Sequence, residues 1–494
     1  MSAPRTIVLP KFAHPIAGNI GTPPTLSGLQ EGDYPSVDGQ SAVMPVTHSV
    51  HRQSQQQRTS SLQKVPLPPE LVEHFGHMQA NCMIGLFPQI ERAWLTIDSD
   101  IYVWRFADCQ DLAYFDGLSD TIVSVALLTP KAGIFRPHIK YLLCLTTAVE
   151  IVLLGVTFTE SSSGGVALGY SEMQLLPEPL FSLSTDSTHM LCVQGTAKGR
   201  IFLGGKDGSL YEFTYKPEEG WFGKKAQKIN HSTSTLSFLI PGFVNAALTE
   251  EDPLVQLEVD DSRNILYCRS EKGTIQVFDL GNDGWQLNKI TSVTQQAIVK
   301  EATRVALNIE KSNFFPIVSI SATSVSESPH LGLVAVTSSG VRFYFGTTTG
   351  ISGNQRPTTL ALQHIRLPPG FTASQAAVGR PSKVHISYYN NGTLLLSSAQ
   401  TESTDQLWLL SNDCFPFQNI LSEGQSTLVI DGKVWALEEV PNLGRLNKLY
   451  KDSFQSVEPP LAAVQHAQPA RRFVLISAQG THIVSKLRPC DQLR

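Results

Sequence analysis

The sequence predicts an all-β fold: a seven-bladed β-propeller with a disordered N-terminal extension and short helical insertions. Three observations support this fold class. Seven pairs of short apolar runs recur along the chain, each pair joined by a tight polar turn. The pairs begin about 48, 60, 64, 66, 62 and 80 residues apart, which is typical of propeller blades separated by long connections. Helical periodicity is scarce, which argues against an α/β fold.

The N-terminal extension, residues 1–64, is rich in Pro, Gly and Ser and contains a polar run at residues 51–58. Such a composition buries too little apolar surface to offset the conformational entropy lost on ordering. We therefore expect disorder over residues 1–64 and the propeller over residues 65–494. The sequence does not identify the strand that closes the last blade, and a strand from the N-terminal extension is one candidate.

Each apolar pair has the pattern of a β-hairpin, in which two strands flank a short polar turn that often ends in Gly. The predicted hairpins are Ala93–Phe106, Tyr141–Val156, Ile201–Tyr215, Ile265–Leu280, Leu331–Gly346, Thr393–Leu410 and Phe473–Leu487. Alternating runs predict further blade strands at Ile122–Leu128, Leu254–Val259, Ile317–Ala322 and Val384–Tyr388. The last blade is predicted to gain another hairpin at Gln425–Glu439. Two stacked β-sandwiches are the alternative fold.

Composition and charge limit the classes of ligand that this protein is expected to bind. Charged residues make up 16% of the 494 residues, against a usual ~25%, and the net charge is −5. A broad basic face for nucleic acid is therefore not predicted. The seven cysteines are scattered without a CxxC pair, so neither a zinc site nor a disulfide framework is indicated. We expect no metal, no cofactor, no direct nucleic-acid contact and no small-molecule substrate.

Catalytic and phosphate-binding motifs are not recognisable in the sequence. The glycine-rich run Gly204–Gly208 lies in a turn between two strands, whereas a phosphate loop joins a strand to a helix. The aspartates of the predicted turns are explained by hydrogen bonds to their own backbone. We therefore expect no enzyme activity. A propeller hydrolase is the alternative, and it requires acids or a metal that converge on the central channel.

One segment, residues 231–248, departs from the strand pattern and lies in the connection between the third and fourth hairpins. Its apolar residues recur at helical spacing, and the opposite face carries small uncharged residues. Such a helix suits insertion into the packing gaps of a curved bilayer, since its polar face offers no charge to anionic lipid. The predicted membrane-binding residues are Leu236, Phe238, Leu239, Ile240, Phe243, Val244 and Leu248.

Three lysines lie just upstream of this segment, and they are predicted to add a modest attraction to an anionic surface. They are Lys224, Lys225 and Lys228. Pro241 predicts a kink or a helix that begins there. One alternative is that the apolar face packs on the propeller's own edge. Another is a purely protein-docking propeller, in which this helix packs against a neighbouring protein and makes no lipid contact. Separately, Ser60 and Ser61 follow a basic residue and are candidate phosphorylation sites.

Several stretches resemble the N-terminal β-propeller of the large inner-ring non-FG scaffold nucleoporin (155-kDa type) of the nuclear pore complex. They are Glu70–Asp116, Gly199–Gly208, Lys228–Pro241, Asp261–Gly281, Ile365–Phe371 and Lys486–Arg494. The resemblance runs from about residue 65 to the end of the chain. It implies a seven-bladed propeller, followed in full-length members by an α-helical solenoid that this chain is expected to lack.

The same resemblance implies a structural scaffold at the nuclear envelope that supports nucleocytoplasmic transport of protein and mRNA. Its implied partners are other inner-ring nucleoporins and the pore membrane, which it would contact peripherally and with a preference for curvature. In related propeller nucleoporins an amphipathic loop between blades makes the membrane contact. Residues 231–248 occupy such a place.

Overall fold

The computed structural model describes residues 25–27, 63–69, 71, 82–159, 172–216, 226–232, 251–348, 356–371, 379–401, 403–411, 424–441, 469–486 and 488. Within this part of the chain, thirty β-strands form seven sheets. When the sheets are numbered in chain order, the innermost strand of each sheet from the second to the sixth contacts the innermost strand of the next sheet. The innermost strand of the seventh sheet contacts the innermost strand of the first. The sheets are therefore the blades of a closed ring, and the predicted seven-bladed propeller is confirmed.

Two short strands precede the first blade, β1 (Thr25–Ser27) and β2 (Gln63–Val65). The strands of blade one follow, and they are β3 (Cys82–Phe87), β4 (Arg92–Ile97), β5 (Asp100–Arg105) and β6 (Ala113–Phe115). A single 3-10 turn, Pro88–Ile90, joins its first two strands. Blade two consists of β7 (Ser124–Leu128), β8 (Tyr141–Thr146), β9 (Glu150–Phe158), β10 (Met173–Leu175) and β11 (Phe181–Ser184).

Blades three and four each have four antiparallel strands. Blade three consists of β12 (Met190–Gly195), β13 (Ile201–Gly205), β14 (Leu210–Tyr215) and β15 (Ala226–Asn230). Blade four consists of β16 (Leu254–Asp260), β17 (Ile265–Ser270), β18 (Ile275–Asp279) and β19 (Asn288–Val293). The connection to blade five contains helix α1 (Gln295–Val305) and a 3-10 turn, Lys311–Phe314.

Blades five to seven complete the ring. Blade five consists of β20 (Ile317–Ala322), β21 (Leu333–Thr337), β22 (Arg342–Gly346) and β23 (Ala361–Arg366). Blade six consists of β24 (Val384–Asn390), β25 (Thr393–Ala399), β26 (Thr404–Ser411) and β27 (Gly424–Asp431). Blade seven takes β28 (Val434–Val440), β29 (Arg472–Ser477) and β30 (Gly480–Ser485) from the end of the chain.

All seven predicted hairpins are confirmed, and each forms the two central strands of one blade. The four alternating runs are also confirmed, as the innermost strands of blades two, four, five and six. The hairpin predicted over Gln425–Glu439 is wrong. Its two strands belong to different sheets, since β27 is outermost in blade six and β28 is innermost in blade seven. A turn between two apolar runs does not reveal whether those runs pair with each other.

The N-terminal strand β2 closes the ring. It is the outermost strand of blade seven, antiparallel to β30, with Gln63 opposite Ile483 and Val65 opposite Thr481. It begins two residues before the predicted start of the propeller at residue 65. The other N-terminal strand, β1, adds in parallel to β23 of blade five, with Thr25 opposite His364. The rest of the predicted disordered extension lies outside the described residues.

The core lies between the blades, because each blade is buried on both faces. In β8, Leu142 and Cys144 pack with apolar residues of blade three, whereas Leu143 and Leu145 pack with those of blade one. A strand covered on both sides reads as a continuous apolar run rather than an alternating one. A cluster of this kind occupies the interface between every two neighbouring blades in the described part of the chain.

The direction of the innermost strands defines two faces of the ring. The upper face is where these strands begin, for example at Leu254, Ile317 and Val384, and the lower face is where they end. Because the strands of a blade alternate in direction, each connection from one blade to the next lies on the upper face. The turn between the second and third strand of each blade lies there too.

Candidate functional site

The segment predicted to bind the membrane connects β15 of blade three to β16 of blade four. The seven predicted insertion residues all fall within residues 233–250, which lie outside the described residues. The described residues fix where the segment leaves and returns. His231 donates its backbone N–H to the carbonyl of Leu210 at 2.8 Å, and Glu271 donates its backbone N–H to the carbonyl of Pro253 at 2.8 Å. Both ends are therefore held at the upper face.

Lys228, one of the three predicted accessory lysines, is engaged within the propeller. Its Nζ donates to the carbonyl of Thr185 at 2.6 Å and pairs with Asp186 Oδ2 at 2.7 Å. The ammonium group also lies 5.3 Å from the centre of the Tyr211 ring, and the side chain is only 11% exposed. This arrangement fits a structural contact between blades two and three better than a free charge for a lipid surface.

The other two lysines, Lys224 and Lys225, lie outside the described residues, within residues 217–225. The strands that flank this stretch are described, and Tyr215 of β14 pairs directly with Ala226 of β15. That pair lies at the lower face, at the opposite end of β15 from residues 233–250. The phosphorylation candidates Ser60 and Ser61 also lie outside the described residues, immediately before β2.

Two large apolar side chains are exposed in the connection between blades four and five, which leaves and re-enters the ring at the upper face. Leu307 is 81% exposed and Phe315 is 39% exposed. The connection is held by α1, which begins after Thr294, whose hydroxyl accepts a hydrogen bond from the N–H of Ala297. The buried face of α1, including Ile298, packs on blades four and five. Leu307 and Phe315 are therefore presented by a fixed support.

Sequence reasoning missed these two residues. In the run Phe314-Phe315-Pro316, the first side chain is fully buried and the second is exposed. Neighbouring apolar residues of this kind give no periodic signal, so only the position of the connection on the ring distinguishes them.

The features closest to the alternative of a propeller hydrolase are two carboxyl groups on innermost strands. Burial raises the pKa of Glu258, on β16, to about 7. Burial, together with the charge of Glu258, raises the pKa of Glu438, on β28, to about 8. Among the described residues, no three His, Cys, Asp or Glu side chains come together as a metal site would require. No helix in the same ranges is long and apolar enough to cross a bilayer.

Comparison with known proteins identifies the family. The family model for the nucleoporin N-terminal region, described as Nup133 N terminal like, matches residues 56–483. The chain belongs to this nucleoporin family. The nucleoporin propeller is 39% identical to nuclear pore complex protein Nup154 of Drosophila melanogaster, over 95% of the chain and 34% of that protein. It is 30% identical to nucleoporin NUP170 of Chaetomium thermophilum, over 61% of the chain and 22% of that protein.

The chain thus spans about a third or less of the length of these curated relatives. The crystal structure of the Chaetomium thermophilum Nup170 NTD–Nup53 complex has the same fold, with a TM-score of 0.74 and 22% identity, over 97% of this chain and 65% of that one. The resemblance to the N-terminal propeller of the large inner-ring scaffold nucleoporins is confirmed, as is its location in the nuclear pore complex. Its relatives are structural nucleoporins and not enzymes.

Proposed function

We propose that the upper face of this nucleoporin propeller docks on the pore membrane through insertion of the apolar side chains of residues 233–250. One observation carries the proposal. Both ends of that segment are held at the face on which Leu307 and Phe315 are exposed. Apolar side chains that enter the acyl region gain about 25 cal/mol for each Å² removed from water. Several such side chains on one face give a peripheral contact without a membrane-spanning helix.

The predicted contact depends on membrane curvature. The polar face of residues 231–248 carries Ser, Asn and Thr rather than basic residues. A helix of this kind binds where lipid packing is loose, as it is on small vesicles. The contact would hold the scaffold against the curved pore membrane and in this way support transport through the pore.

Flotation with phosphatidylcholine vesicles tests the proposal. The wild-type chain is expected to float with small vesicles and much less with large ones, and Leu239→Asp with Ile240→Asp is expected to abolish flotation. Two exposed apolar residues on the outermost strands, Tyr114 and Val429, provide a matched control. Tyr114→Asp with Val429→Asp adds the same charge at the outer rim and is expected to float like the wild type. Unchanged flotation of the Leu239/Ile240 variant would contradict the membrane contact.

We also propose that the propeller docks other nucleoporins, which makes it a scaffold without a catalytic role. The support is that the N-terminal domain of Chaetomium thermophilum Nup170 was crystallised as a complex with Nup53. Isothermal titration of the chain with a Nup53-type nucleoporin from the same organism tests this. A purely protein-docking propeller is the outcome if that partner binds and vesicles do not.

A further inference from the structure

An open pocket of about 640 Å³ lies on the upper face where blades four, five and six meet. Its lining includes Ile317 and Val384, the residues at which the innermost strands β20 and β24 begin. The volume lies within the ~300–1,000 Å³ that is usual for small-ligand sites. The pocket therefore has room for a compact polar ligand on the upper face.

The pocket is lined by basic groups from separate parts of the chain. They are Arg269, Arg380, Lys383 and His385. Ser338, Ser339, Ser382 and Asn313 also line it. Hydroxyl groups can donate hydrogen bonds to an anion. None of the described lining residues is acidic. This set of donors matches a phosphate-bearing anion.

Arg269 is the deepest of these cations. Its Nε donates to Gln256 Oε1 at 3.2 Å, and its Nη1 donates to the carbonyl of Ile317 at 3.2 Å, which links blades four and five. Within the described ranges no carboxylate pairs with it, and burial lowers the pKa of its guanidinium. A half-buried cation without a counterion is costly, and a bound anion would offset that cost.

The remaining basic side chains lie at the rim. Arg380 and Lys383 are exposed, and the guanidinium of Arg380 stacks 5.0 Å from the centre of the Phe371 ring. The acid nearest to His385 is Asp405, whose buried carboxylate lies 3.1 Å from His385 Nε2 and 3.1 Å from Lys433 Nζ. Asp405 is therefore the partner of His385 and Lys433, whereas Arg380 and Lys383 have no ion pair among the described residues.

We propose that this pocket binds the phosphorylated headgroup of an anionic membrane lipid. The proposal rests on the membrane docking proposed above, and it adds the charge-dependent part that Lys228 is poorly placed to supply. A lipid fits better than a phosphorylated peptide because the pocket opens on the face that exposes Phe315, and the next residue, Pro316, lines the pocket. A headgroup held there leaves its acyl chains beside an apolar side chain.

Soluble inositol trisphosphate tests the pocket without a membrane. Arg380→Ala with Lys383→Ala removes two exposed cations, and each is worth roughly a fivefold change in binding to an anionic surface. We expect about 25-fold weaker binding in isothermal titration. The control is Lys140→Ala with Lys216→Ala, two exposed lysines on the lower face, and it is expected to bind like the wild type. Equal binding by the two double variants overturns the pocket.

Vesicles then separate this inference from the proposed membrane segment. The wild type is expected to float with large phosphatidylcholine vesicles that contain phosphatidylinositol bisphosphate, and the Arg380/Lys383 variant is expected not to float with them. With small neutral vesicles, only the Leu239/Ile240 variant is expected not to float. If the Leu239/Ile240 variant floats normally with small neutral vesicles while the Arg380/Lys383 variant fails to float with large bisphosphate vesicles, the segment proposal fails and the lipid pocket stands. If a phosphoserine peptide binds the pocket and bisphosphate vesicles do not bind the chain, the lipid assignment is wrong.

Discussion

Arg200 and Glu212 form a buried ion pair in blade three, with Nε 2.8 Å from Oε1 and Nη2 2.9 Å from Oε2. The guanidinium of Arg200 also donates to the carbonyls of Gly284 and Gln286 in blade four, at 2.9 and 2.6 Å. On the other side of the carboxylate, His231 Nε2 lies 2.9 Å from Glu212 Oε2. The pair therefore joins two blades and holds the residue from which the proposed membrane segment departs.

Arg200→Ala is expected to lower the free energy of unfolding by about 3–5 kcal/mol, because it leaves the Glu212 carboxylate buried without its main partner. Urea denaturation measures this loss. Arg304→Ala is the matched control, since it breaks the exposed pair with Glu301 on α1 and is expected to cost less than about 1 kcal/mol. Similar small losses in both variants would show that the buried pair contributes little.

Closure of the ring depends on a glycine. Gly480, the first residue of β30, has φ +117°, and a Cβ there would collide with the carbonyl oxygen of Val65 on β2. Gly480→Ala is expected to lower the free energy of unfolding by about 2 kcal/mol or more and to detach β2. Thermal unfolding and limited proteolysis of the N-terminal segment measure the two effects.

Gly379→Ala provides the comparison, because a Cβ at Gly379 meets no atom of the described residues within 4 Å. This variant is expected to unfold and to be cleaved like the wild type. If Gly480→Ala behaves in the same way, closure by β2 does not limit the stability of the ring.

His364 makes the stability depend on pH. It lies buried on β23, and burial, followed by the charges of Arg366 and Arg342, lowers its pKa to about 3. Below its ordinary value near 6.5, the unfolded chain takes up a proton that the native state does not. The stabilisation is therefore complete above about pH 6.5 and is lost as the pH falls toward 3, by up to about 1.4 kcal/mol per pH unit.

The measurement is urea denaturation of the wild type and of His364→Gln at about pH 7 and pH 5. The wild type is expected to lose roughly 2 kcal/mol more than the variant between these two values. An equal loss in both proteins would mean that the pKa of His364 is the same in the native state as in the unfolded chain.

The parts of the fold that could be predicted from the sequence are local. A hairpin such as Ile265–Leu280 carries its own turn, so a short stretch contains the whole signal. The pairing of Gln63 with Ile483 joins the two ends of the chain, and the assignment of β27 and β28 to different blades depends on the closed ring. Neither of these two relationships produces a local sequence pattern from which it could be predicted.

The same distinction applies to the candidate sites. The segment 231–248 was predictable because its apolar face repeats at helical spacing within a few turns. The pocket could not be predicted, because Arg269 lies near the end of β17 while Arg380 and Lys383 precede β24. Only the cyclic arrangement of the blades brings these side chains close together. In the sequence, each of them is indistinguishable from an ordinary surface charge.

Two adjacent carboxyl groups on β28 are expected to respond to mutation with opposite signs. Glu439 accepts two hydrogen bonds from Arg471, at 2.6 and 2.7 Å, and so has a cationic partner. The pKa of Glu438 is raised from its ordinary 4.5 to about 8, by burial first and then by the charges of Glu258 and Glu439. A raised folded pKa gives stability that is present below about pH 4.5 and is lost as the pH rises through about 8.

Glu438→Gln keeps the neutral shape at every pH, so it is expected to raise the free energy of unfolding at about pH 8 by at least about 1 kcal/mol, and to change it little at about pH 5. Glu439→Gln leaves Arg471 without its carboxylate and is expected to lower the stability at both values. Urea denaturation of the two variants at both pH values makes the comparison. A loss of stability in Glu438→Gln at about pH 8 would mean that its charged form is favoured in the native ring, and the raised pKa would then be wrong.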